Sequence, residues 1–77
     1  MPTVLQEGGF AVRVYRDHNP PHVHVVNAEG EVMVALGDRA TAPYLLRAPR
    51  MKDWRDAVRL VAERQEYLLA QWEKING

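Results

Sequence analysis

The chain contains no cysteine. That excludes disulfides, thiol nucleophiles and cysteine zinc sites, and it fits a reducing compartment. No charge of one sign is in excess: ten Lys and Arg balance ten Asp and Glu. A neutral chain gains no global attraction to nucleic acid. Long hydrophobic runs are also missing. The longest stretch without Asp, Glu, Lys or Arg, His18 to Ala28, carries two prolines and two further histidines, so no membrane span is expected. The N-terminus has no basic segment followed by an apolar run, so no signal peptide is expected, and a cytoplasmic location is the default. No repeat, low-complexity tract or linker is visible.

Seventy-seven residues make one domain, 1–77. A chain this short buries a smaller fraction of its surface than a larger one, so its stability is expected to be either marginal or helped by a partner. Charge is uneven along it. Arg13 and Arg16 face Glu7, Asp17, Glu29, Glu31 and Asp38 in residues 1–38, for a sum of −3. Arg39, Arg47, Arg50, Lys52, Arg55 and Arg59 face only Asp53 and Asp56 in residues 39–59, for a sum of +4. That cluster is either a solvated face interrupted by aspartates or a local contact for nucleic acid.

Periodicity divides the chain into a β-rich part, 1–46, and a helix, 51–75. Thr3 to Gln6 reads as a short strand, followed by a Glu7-Gly8-Gly9 turn in which glycine accepts positive φ. Phe10 to Tyr15, His22 to Val26 and Glu31 to Leu36 each alternate with period two. Matched into one sheet, they give an apolar face of Phe10, Val12, Val14, Val23, Val25, Val32, Val34 and Leu36. The opposite face carries Arg13, Tyr15, His22, His24, Glu31 and Met33. A one-residue slip would mix the two sets. Tyr44 to Leu46 is either a short edge strand or an irregular connection.

From Met51 onward, Met51, Trp54, Val58, Val61, Leu68, Trp72 and Ile75 recur at spacings of three and four, with Gln65 interrupting. Pro49 suits the start of a helix, Asp53 and Asp56 its positive end, and Asn76-Gly77 its stop. Trp54, Leu68 and Trp72 are core candidates. The expected fold is α+β: a small antiparallel β-sheet of three to five strands covered on one face by a single long C-terminal α-helix. Leu60 and Tyr67 widen the helix's apolar arc. Either the 44–49 connection packs over them, or they form a second interface to another protein or to a second copy, making a homodimer.

The densest chemistry lies in Asp17-His18-Asn19-Pro20-Pro21-His22-Val23-His24-Val25, which holds all three histidines. The prolines remove backbone donors and stiffen the loop, and either X–Pro bond can be cis. Three uses are open. His22 and His24, two apart on a strand, would share proton transfer at a phosphodiester as catalytic residues, with Arg13 or Arg16 steadying phosphate charge. His18, His22 and His24 would bind a metal, with Asp17 or Glu31 completing the shell, although His-x-His alone is a weak signature. In the third, Asp17 and Asn19 shape the turn and the histidines hydrogen-bond within it. No Gly-rich phosphate loop, nucleophile elbow or helix-turn-helix is visible, and no cofactor is expected. Arg13, Tyr15, His18, Leu60 and Tyr67 are the candidate binding residues.

The opening Met1-Pro2-Thr3-Val4-Leu5, the Asp17 to Val25 motif and the closing Leu68-Leu69-Ala70-Gln71-Trp72-Glu73 together resemble the small bacterial proteins of the domain of unknown function 4160 family. The chain departs from that pattern between Asp38 and Arg50, where Arg39, Arg47 and Arg50 add positive charge. Members are often encoded beside a second small protein, of the domain of unknown function 2442 family, as a proposed toxin–antitoxin-like pair. The resemblance thus implies a cognate protein partner and a prokaryotic or phage setting, and it assigns no catalytic residue. The leading expectation is a protein-binding module in a two-protein system. The alternatives are a metal-independent ribonuclease-type toxin, a small inhibitor that covers a larger target, and a metal-binding protein.

Overall fold

The computed structural model describes residues 3–16, 20–37, 42–46 and 51–77. Five strands form one antiparallel sheet in the order in which they occur: β1 (Thr3–Glu7), β2 (Phe10–Arg13), β3 (His22–Asn27), β4 (Gly30–Ala35) and β5 (Tyr44–Leu45). Two hairpins set the register. Gly8 and Gly9 both take positive φ, 60° and 82°, which matches the twist of a two-residue turn between Glu7 and Phe10. At the second hairpin the Asn27 side-chain oxygen accepts from the Glu29 and Gly30 amides, at 2.8 and 3.2 Å, and so closes the turn locally.

Register confirms the two-faced pattern. Val12 pairs with Val25 and Val25 with Val32; Val23 pairs with Val34 and Val34 with Leu45. These side chains point to one side and enter a single core with Met51, Ala57, Leu60, Val61, Leu68 and Trp72. Trp54, expected in the core, packs against it half-buried. Tyr44–Leu45 is an edge strand on β4, which settles the alternative left open for that segment. The β1 edge carries a bulge between Thr3 and Leu5. The Tyr67 hydroxyl donates to the Val4 carbonyl there at 2.8 Å.

The single long helix expected over 51–75 is two helices, α1 (Trp54–Glu63) and α2 (Gln65–Asn76). Met51 precedes the first turn and is buried. Arg64 leaves helical geometry at φ −116° and ψ 19°, and its amide is shared between the Leu60 and Val61 carbonyls. Tertiary contacts hold the break. The Arg64 guanidinium grips the Glu7 carboxylate at 3.1–3.2 Å, and the Gln65 side chain donates to the Gly37 carbonyl at 3.1 Å. Gln65 is the residue that interrupts the apolar stripe. At the far end the Asn76 side chain donates to the Tyr15 carbonyl at 3.1 Å, which ties α2 to the chain leaving β2. No helix among the described residues is long and apolar enough to cross a membrane.

Candidate functional site

The face of the sheet turned away from the valine core gathers most of the residues singled out in the sequence. Cross-strand partners share a face, so register assigns its rows. One row is Gln6, Ala11, Val26 and Glu31; the next is Arg13, His24 and Met33; the third is His22, Ala35 and Tyr44. Among the described residues, the α1 and α2 side chains that enter the core meet the opposite, valine face. The open face is far from uniformly polar. Ala11, Val26 and Met33 are half-buried along its middle, and Tyr44, at the β5 edge, is 51% exposed.

The two histidines of β3 differ. His22 is only 5% exposed, and its Nδ1 donates to the Pro20 carbonyl at 2.9 Å. Its ring centroid lies 5.3 Å from that of Trp72 on α2. Register keeps His22 on the same face as His24, with their rings 5.3 Å apart, but His22 stands at the end of that face against Trp72 of α2. As the first residue of β3 it sits where the proline-stiffened corner and the end of α2 meet, and burial beside Trp72 captures the ring. His24 lies mid-strand. It meets Tyr15 edge-on at 4.3 Å, the His22 ring at 5.3 Å and the Glu31 carboxylate at 3.6 Å. Trp72, His22, His24 and Tyr15 form a continuous ring column from the helix layer to the open face. Arg13 pairs with His24 in register, and its Nε is buried without a hydrogen-bond partner.

The other candidates scatter. Leu60 is buried in the core, at 6% exposure. Tyr67 is 45% exposed, with its hydroxyl committed to Val4. His18, Arg39, Arg47 and Arg50 lie outside the described residues, as do Asp17, Asn19 and Pro49. Two of the remaining cations of the basic segment have local partners: Arg55 stacks over the Trp54 ring at 4.5 Å, and Arg59 meets Asp56 at 3.6 Å. At Lys52 it is the backbone amide that donates, to the Glu29 carboxylate at 3.2 Å. Among the described residues, no group of three or more His, Asp or Glu is placed to hold a metal ion. Sequence reasoning missed Tyr44 as a site residue; counting its parity across β4 from Ala35 would have placed it on the His24 side.

A small α+β domain, a five-stranded antiparallel sheet with one face covered by two helices, is the class defined by this geometry. The chain belongs to the family described as Domain of unknown function (DUF4160), whose model matches residues 9–73. No curated protein and no solved structure matches it.

Proposed function

We propose that the chain is a protein-binding module, one component of a small two-protein regulatory or toxin–antitoxin-like system. One observation carries this reading: the open sheet face sets Ala11, Val26 and Met33 between Arg13 and Glu31, with exposed Tyr44 at its edge. Protein interfaces favour an apolar centre, aromatic and Met side chains, and arginine, with charge at the rim. The family resemblance adds a second small protein encoded alongside as the expected partner. Co-expression with that neighbour, followed by size measurement, tests the reading. A shared complex that Met33→Lys or Tyr44→Ala disrupts, with the fold retained, supports it. A chain that stays monomeric and ignores its neighbour overturns it.

The ribonuclease reading draws less support from the site. Its acid–base pair needs both imidazoles near solvent and substrate. His22 is buried with one ring nitrogen bonded to a backbone carbonyl, the arrangement of a side chain that shapes a corner.

A further inference from the structure

A second surface lies at the other side of the His22 corner. A groove of about 490 Å³ runs between α2 and the ends of β3 and β4, lined by Pro21, Leu36, Gly37, Glu66, Leu69, Ala70 and Glu73. Both walls are tied down. The Leu36 amide donates to the Pro21 carbonyl at 2.9 Å, and Gln65 bonds Gly37 at 3.1 Å, fixing the start of α2 against the sheet end. Leu36, Leu69, Ala70 and Pro21 make the surface apolar. Glu66 and Glu73 are exposed on α2, seven residues apart, which is about 10 Å along a helix axis. Neither forms an ion pair among the described residues. The basic side chains of α1 are engaged elsewhere, by Trp54 and Asp56. Among the described residues the groove is thus a partly apolar slot with two carboxylates at its helix wall that form no ion pair.

We infer that this groove docks a cationic amphipathic segment of the partner protein, one that seats an aliphatic side chain against Leu36 and Leu69 and sets Lys or Arg against Glu66 and Glu73. The inference rests on the protein-binding reading and assigns the partner's chemistry. A pre-formed slot needs little reorganisation on binding, and the two carboxylates select against acidic or neutral segments. The slot takes the helix-in-groove mode of recognition, with anchors on one helical face.

The test uses the full chain and a synthetic amphipathic peptide whose leucine face is flanked by arginines two turns apart. Binding is followed by amide chemical shifts and titration. The expected result is shifts centred on Leu36, Gly37, Leu69, Ala70 and Glu73, and about tenfold weaker binding to the Glu66→Lys, Glu73→Lys double variant. Both positions are exposed, so the variant is expected to keep its fold. A peptide with glutamates in place of the arginines should not bind wild type, and should gain affinity for the double variant. No binding, equal binding to both proteins, or shifts confined to the open sheet face overturns the inference, as does sedimentation showing that a second copy fills the groove. The co-expressed neighbour separates the two proposals. If it is retained equally by wild type and double variant, the groove fails and the protein-binding reading stands. If it is retained by neither, that reading fails.

Discussion

The two faces of this sheet are built from the same strands, yet they obey different rules. On one, valines from β2, β3 and β4 stack in register and vanish beneath α1 and α2. On the other, the alternate residues are a mixture: alanine, valine and methionine beside arginine, histidine and glutamate. A face that only needed solvation would be more uniformly polar. A face that only needed burial would not carry Arg13 and Glu31. The contrast teaches that the period-two pattern serves burial on one side and releases the other from that constraint. Both histidines lie on this second face, His22 at its end against Trp72 and His24 at mid-strand against Tyr15.

Substitutions can break or sharpen this contrast. The largest loss is expected on the covered face. Trp72→Ala opens a cavity beside His22 and the valine core and should cost about 3–5 kcal/mol in urea unfolding. His22→Ala follows, at about 1–3 kcal/mol, because a buried ring and its bond to the Pro20 carbonyl are lost together. His24→Ala forfeits chiefly the edge-on contact with Tyr15, about 0.5–1.5 kcal/mol. Equal melting losses for the two histidine variants would erase the distinction drawn between them. Arg64→Ala removes a half-exposed ion pair to Glu7 and should cost about 0.2–1 kcal/mol, less at high salt. Smallest of all is Tyr44→Ala, within about 0.5 kcal/mol by thermal melt. Its effect on partner binding should nonetheless exceed about 1 kcal/mol if the open face is the interface.

Much of this architecture was legible because both of its main signals are local. Alternation in Phe10–Val14, His22–Val26 and Glu31–Leu36 fixed which residues share a face, and register agrees wherever strands pair. The helix stripe was legible too, but its continuity was not. Gln65 marks the interruption, while the bend at Arg64 depends on Glu7 and Gly37, which lie far away in sequence. Nothing in a helical wheel contains that information. The same limit applied to the site. The alternation put His22 and His24 on one side, but the burial of His22 comes from Trp72, fifty residues later in the chain. Leu60 reads as a flank residue on the wheel and is core in the structure, because the sheet wraps a wider arc of α1 than a single stripe requires.

The strand order has a consequence for how the molecule comes into being. Among the described residues, every strand pairs with its neighbour in sequence, and both helices follow the five strands. Loop closure within the sheet is therefore short-range, which favours rapid pairing. During synthesis the meander can assemble as each hairpin leaves the ribosome, and α2 arrives last to seal Leu68 and Trp72 over the valines. In that interval the nascent sheet presents both of its faces, and the valine face stays exposed to solvent until the helices close over it.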